Sequence, residues 1–242
     1  MIRVKAGFFN LTPPPEPGED ISGYLRWHLL DHMPEQYQLP GIVYATRWIA
    51  DAECLDARLA GSGKLEQVGS IMNYLVGDPV QQTSEDFLEL GPRLAELGRF
   101  PRARRSLQLR LLALLRWYAA PRVLISPEVV PFRPHLGVLA IVEEPATKGV
   151  PDWMQWLHAQ HYPSLLDVPG VAGAWMYGST ETWDLPPHCQ GSPEYITVVY
   201  LDDDALATAK ALTALVEQRW ASGSVRPLFA GPLRSIVHWD AV

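Results

Sequence analysis

The chain is poor in cysteine, in long apolar runs and in positive charge. Of its 242 residues only Cys54 and Cys189 are cysteine. Two thiols cannot build a disulfide framework, so the sequence points to a reducing cytoplasm rather than a secreted scaffold. The greasiest stretch, residues 107–120, is broken by Arg110 and Arg116, which excludes it as a membrane span of about 18 apolar residues. The opening residues carry no long apolar core before the proline-rich stretch that starts at Pro13, so no secretion signal is expected there. Net charge is −7, which disfavours the phosphate neutralisation that nucleic-acid binding rests on. One basic cluster, residues 99–105, reads as a solvated loop before a strand. Neither a nucleic-acid nor a membrane partner is expected.

Motifs for nucleotide and acyl chemistry are missing too. Gly61-Ser62-Gly63-Lys64 has neither the length nor the preceding strand of a phosphate-cradling loop. No nucleophile elbow appears, and neither cysteine has an activating neighbour. What is present is an ordinary globular composition, 48% hydrophobic, with nine tryptophans. Aromatics supply large, shaped apolar surface, and most of these belong in a core.

The decisive feature is internal similarity. The segment Trp27 to Trp48 lies over Trp156 to Tyr177 without a gap at an offset of 129. Trp27/Trp156, His32/His161, Pro34/Pro163, Pro40/Pro169, Gly41/Gly170 and Ala45/Ala174 are identical pairs. Typical residue frequencies give about one match by chance over such a stretch. A second echo sets Tyr74-Leu75-Val76 against Tyr200-Leu201-Asp202, at an offset of 126. The sequence therefore reads as a tandem repeat, with one module over residues 1–120 and another over 121–242.

Each copy spells one order of elements. Strands are expected at residues 2–10, 42–50 and 67–76, with a helix over 21–37 that ends before Pro40-Gly41. Thr83-Ser84-Glu85-Asp86 has the character of a helix start for a helix running to Gly98, and residues 107–118 close the module as a strand or a short helix. The second copy repeats this with strands at 136–143, 171–178, 195–201 and 233–239. Its helices cover 152–166 and, capped by Asp202-Asp203-Asp204, extend to 221. The order β-α-β-β-α-β is the ferredoxin-like unit, an α+β fold with both helices on one sheet face. The other face needs a partner, and the second copy is the obvious one, sheet against sheet.

This arrangement, with Trp27, His32-Met33-Pro34 and Pro40-Gly41 repeated as Trp156, His161-Tyr162-Pro163 and Pro169-Gly170, resembles the dimeric α/β-barrel superfamily. Its helix motif looks most like the EthD-like branch. The resemblance implies a single-chain, intrachain version of a barrel that relatives often build from two chains, hence a monomer with an internal pseudo-dimer or a homodimer. The superfamily includes cofactor-free monooxygenases, cyclases, isomerases, haem enzymes and proteins without known activity, so fold alone leaves the chemistry open.

Helical spacing places Tyr24, His28 and His32 on one stripe and Trp153, Leu157 and His161 on its counterpart. Histidine moves protons near neutral pH without a cofactor. His32 and His161, with Asp31 beside the first, are the candidate catalytic residues. A histidine near a helix C-terminal end also has a purely structural use, bonding carbonyls and favouring the dipole. Tyr24, Trp27, His28, Tyr74, Trp153 and Trp156 are candidate substrate contacts, although Trp27 and Trp156 read first as core wedges and only second as substrate platforms. The i, i+4 spacing of His28 and His32 suits a metal, but no adjacent Glu or third ligand accompanies it, and the His158/His161 and His188-Cys189 pairs are no better. No metal and no cofactor are expected. The leading expectation is a cofactor-independent isomerase, cyclase, lyase or monooxygenase acting on a small hydrophobic aromatic or cyclic metabolite. The alternatives are a non-catalytic ligand-binding or stress-response protein and a haem-dependent enzyme.

Overall fold

The computed structural model describes residues 3–101, 104–184, 189, 191 and 193–236. Four strands of the first half, β1 (Ala6–Thr12), β2 (Ile42–Ile49), β4 (Ser70–Val76) and β5 (Gln108–Ala119), pair antiparallel in the order β2-β4-β1-β5. The second half repeats the pattern with β7 (Val171–Gly178), β8 (Tyr195–Leu201), β6 (Gly137–Pro145) and β9 (Val225–Ser235). A two-residue strand, β3 (Ala60–Gly61), hangs on β9.

The two sheets are not separate layers pressed face to face, as the sequence led us to expect. They join into one continuous sheet, β5 pairing with β7 from Ala113↔Gly178 to Ala119↔Gly173, and β2 pairing with β9 at Trp48↔Ser235 and Ile49↔Arg234. Both joins make the sheet a closed barrel. Edge strands present unpaired N–H and C=O groups, and closure satisfies them.

Strand alternation sorts the side chains into three cores. The barrel interior mixes both halves, with Phe9, Trp48, Ile71 and Leu112 from the first against Val138, Trp175, Tyr177 and Phe229 from the second. Outside the barrel, Phe8, Met72 and Tyr74 face the helices of the first half. Leu139, Ile141 and Val199 face those of the second.

The helices on the first half are α1 (Ile21–Trp27), α2 (Met33–Gln36) and α4 (Val80–Glu96), with a short α3 (Ala52–Asp56) that periodicity did not reveal. α5 (Val150–Trp156), α6 (Tyr162–Leu166) and α7 (Ala205–Trp220) cover the second half. Between α1 and α2 the chain makes a π-helical turn over His28–His32, and between α5 and α6 another over Leu157–His161. The cause is written in each His-x-Pro motif. Proline lacks the N–H for an i→i−4 bond and its ring collides with that carbonyl, so the ladder widens ahead of Pro34 and Pro163. The N–H of Met33 reaches back five residues to the His28 carbonyl, and that of Tyr162 to the Leu157 carbonyl.

Three boundaries differ from expectation. α4 begins at Val80, directly after Pro79, and Thr83 lies inside it, donating its hydroxyl to the Pro79 carbonyl. Segment 108–119 is wholly strand. β9 starts at Val225, earlier than expected, and residues 237–239 of the expected last strand lie outside the described residues. The echo of Tyr74 in Tyr200 is also out of register by one. Ala45 pairs with Tyr74 where Ala174 pairs with Val199. A one-residue slip exchanges the faces of a strand, so Tyr74 points at the helices while Tyr200 sits inside the barrel.

No helix among the described residues is long and apolar enough to cross a membrane.

Candidate functional site

Between α1, its π turn, α4 and the outer face of β1 and β4 lies a chamber of about 200 Å³. Five of the sequence-derived residues meet in its wall: Tyr24, Trp27, His28, His32 and Tyr74. Asp20 caps α1 by accepting from the Gly23 amide at 2.8 Å, and the π turn then brings both histidines over the sheet. Their ring centroids are 5.6 Å apart, and the His28 Nε2 lies 3.3 Å from the Tyr74 hydroxyl. Trp27 stacks on His32 at 5.0 Å and 14°, while Phe100 meets both rings edge-on.

His32 is held neutral. Burial first, and the Arg47 cation second, push its pKa down to about 4. Its Nε2 lies 3.1 Å from the Gln36 side-chain nitrogen. Its Nδ1 is buried with no hydrogen-bond partner among the described residues. Burial also moves the Tyr74 phenol upward, so it stays protonated.

Sequence reasoning missed Arg104 and Phe100 of the wall, and Arg47, which supports the wall through Tyr24. Arg104, placed in a solvated loop by its basic neighbours, lays its guanidinium over the Tyr24 ring at 5.5 Å and pairs with Glu19 at 2.6 Å. Arg102 of the same cluster lies outside the described residues. Arg47 on β2 sits over the same ring at 5.4 Å and donates to the Tyr24 hydroxyl at 3.1 Å and to Ser70 at 3.2 Å. One signal was available: Arg47 is two residues from Ala45 in an alternating strand, hence on the face that meets the helices. Asp31 is exposed and borders a different crevice with Glu35 and Arg99, so it is not part of the chamber.

In the second half the space beside His161 is filled. Arg219 and Glu143, both 0% exposed, form a two-point ion pair at 2.6 and 2.7 Å. Thr197 accepts from Arg219 at 2.9 Å and bonds the Tyr162 hydroxyl at 3.2 Å. Trp153 donates to the Arg219 carbonyl from the other side. His161 is packed beside Trp156 and Tyr162 with neither ring nitrogen hydrogen-bonded among the described residues, and burial pushes its pKa down to about 3. Trp153 and Trp156 line a separate cleft of about 380 Å³ with Asp152 and Gln218, and His161, although it touches Trp156, is not in the lining of that cleft. Thus His161, Trp153 and Trp156 do not converge on one cavity.

Among the described residues no group of three or more His, Cys, Asp or Glu side chains could hold a metal ion. His188 lies outside the described residues. Both cysteines are buried, and burial raises each thiol to about 11.

No protein-family model matches this sequence, and no curated protein matches it. Solved structures do share its fold. A dye-decolorizing peroxidase from Bacteroides thetaiotaomicron superposes with a TM-score of 0.60 at 8% identity, covering 99% of this chain and 94% of its own. A mutant chlorite dismutase from Candidatus Nitrospira defluvii gives 0.56 at 13%, covering 100% and 94%. An anthrone oxidase-like protein gives 0.55 at 12%, covering 96% and 92%. The likeness places the chain in the dimeric α+β-barrel fold. It also corrects the expectation of a cofactor-independent enzyme: a peroxidase and a chlorite dismutase stand with the haem-using alternative.

A haem, however, does not fit the residues present. The donors are suitable, since His32 and His161 are neutral imidazoles with an unpartnered nitrogen, and neutral imidazole is what haem iron takes. The space is not. A cavity of roughly 150 Å³ holds one benzene, and the histidine chamber, at about 200 Å³, takes one substituted ring rather than a macrocycle. Beside His161 the room is filled by Tyr162 and the Arg219–Glu143 pair.

Proposed function

We propose that the chain is an oxidoreductase whose organic substrate, a compact single-ring molecule, occupies the chamber of the first half. The carrying observation is the convergence of Tyr24, Trp27, His28, His32 and Tyr74 on a partly open, aromatic-rich space of about 200 Å³. The oxidative class rests on the names of the structures that share the fold, a peroxidase, a dismutase and an oxidase-like protein. In this reading Trp27 and Phe100 orient the ring, burial excludes water, and the neutral His32 imidazole takes up the proton that a substrate hydroxyl releases as it is oxidised. His161, Trp153 and Trp156 serve structure. The electron acceptor is a separate reactant.

The finer ancestry belongs to the same proposal: a fused tandem repeat of the EthD-like branch, with modules over residues 1–120 and 121–242 that form a barrel within one chain. Supporting it are the shared strand order of the halves and the π turns that recur 129 residues apart.

The test is a panel of phenols and catechols assayed with dioxygen, peroxide or chlorite as acceptor. Turnover is expected to fall at least a hundredfold in His32→Ala, in line with the loss of an acid–base group. Wild-type turnover surviving that change removes His32 from the reaction. Ligand binding without turnover under any acceptor supports the storage-protein alternative. The haem-dependent reading draws on the structural likeness and on the two His161 ring nitrogens that lack a hydrogen-bond partner among the described residues, and it requires the packed second half to open. Titration with haemin decides it, since a sharp band near 400 nm that His161→Leu abolishes would establish that the second half opens to a macrocycle.

A further inference from the structure

The chamber is built for a ligand of particular charge. Arg47 is 3% exposed, and no carboxylate pairs with it among the described residues. Its hydrogen bonds go to two neutral hydroxyls, those of Tyr24 and Ser70, and its Nε has no partner. An uncompensated buried cation is costly. Folding does not require it. Arg47 pairs across the sheet with Met72, and the same rung of the second half, Met176 opposite Thr197, carries an apolar side chain that is fully buried. The first half therefore holds a charge where the second holds a thioether.

The surroundings agree in sign. Among the described residues no Asp or Glu lines the chamber. Arg104, which also lies over the Tyr24 ring, is already neutralised by Glu19, leaving Arg47 as the unbalanced group. Because Arg47 donates to the Tyr24 oxygen, the phenol keeps its own hydrogen to give and is polarised by the cation behind it. His32 Nδ1 and Gln36 Oε1 are buried polar atoms in the same wall with no hydrogen-bond partner among the described residues.

We propose that the chamber selects a single-ring aromatic carboxylate, its ring between Trp27, Phe100 and Phe87 and its carboxylate against the Tyr24 hydroxyl backed by Arg47. This rests on the chamber being the substrate site and names the class of substrate it takes.

The experiment is calorimetric titration of the full chain at pH 7 and low salt with benzoate and with benzamide, a neutral molecule of the same shape. Benzoate is expected to bind at least tenfold tighter than benzamide. Arg47→Met should erase that preference while leaving benzamide affinity within about twofold, and Arg47→Lys should restore part of it. Tyr24→Phe removes the donor but keeps the ring, and is expected to weaken benzoate several-fold and benzamide not at all. It serves if Arg47→Met does not fold. Equal affinity for the two compounds, or a benzoate preference that persists in both Arg47→Met and Tyr24→Phe, overturns the carboxylate proposal and leaves the ring-binding chamber standing. Binding of neither compound removes the chamber as a substrate site, and the present inference with it.

Discussion

The buried histidines carry the residue-scale consequences. His32 and His161 titrate at about 4 and about 3 in the folded chain, against about 6.5 in an unfolded one. Between these values the unfolded chain binds more protons, so stability increases with pH. It is complete above about pH 6.5 and is lost as the pH falls toward 4 for His32 and toward 3 for His161. His135, also lowered to about 4 by burial, adds to the same slope. Urea midpoints measured from pH 7.5 to 4.5 should decline steadily below 6.5, and a flat profile would contradict the buried, neutral assignment. His161→Leu should reduce the slope and change stability at pH 7.5 by less than ~1 kcal/mol, because it removes polar atoms that have no partner among the described residues. At this scale the sequence was half legible. Repetition pointed to His32, and helical spacing to Tyr24 and His28. Arg47, Arg104 and Phe100 come from a strand and a loop far along the chain, and no local pattern announces that such residues meet.

At the scale of elements, what distinguishes the halves is how each fills the space under its leading helix. In the second half the filler is the Arg219–Glu143 pair, which ties α7 to β6. Removing one member of a buried pair strands the other's charge and costs about 3–5 kcal/mol. Glu143→Leu should therefore lower chemical stability by that amount, and the double change Glu143→Leu/Arg219→Met should recover most of it. A double variant no better than the single would mean that the Thr197 and Trp220 hydrogen bonds, rather than the charge, govern the layer. Helices and strands were mostly readable from periodicity and proline. The start of α4 was not: Thr83 and Ser84 resemble capping residues but bond carbonyls one turn back inside the helix, a local alternative open to any Ser or Thr. The π turns were written in the His-x-Pro motifs, yet they appear only once the proline's effect on the ladder is followed through.

For the whole molecule, barrel closure means that neither half owns the central core. Trp175 of the second half is fully buried there beside Phe9, Trp48 and Leu112 of the first. Trp175→Ala should cost about 3–5 kcal/mol and lower the melting of both halves together, in one calorimetric transition. Two separated transitions would show that the halves unfold independently. The one-residue slip between the Tyr74 and Tyr200 echoes shows why sequence comparison reached the order of strands but not the closed form. Similarity of letters tolerates a shift by one, whereas a strand's two faces do not.

The filled second chamber has a numerical consequence. Binding isotherms should saturate at one equivalent per polypeptide, with a Hill coefficient of unity, although the chain carries two copies of the same helix motif. Calorimetric titration reads both quantities directly, and saturation at two equivalents would show that the Arg219–Glu143 layer gives way.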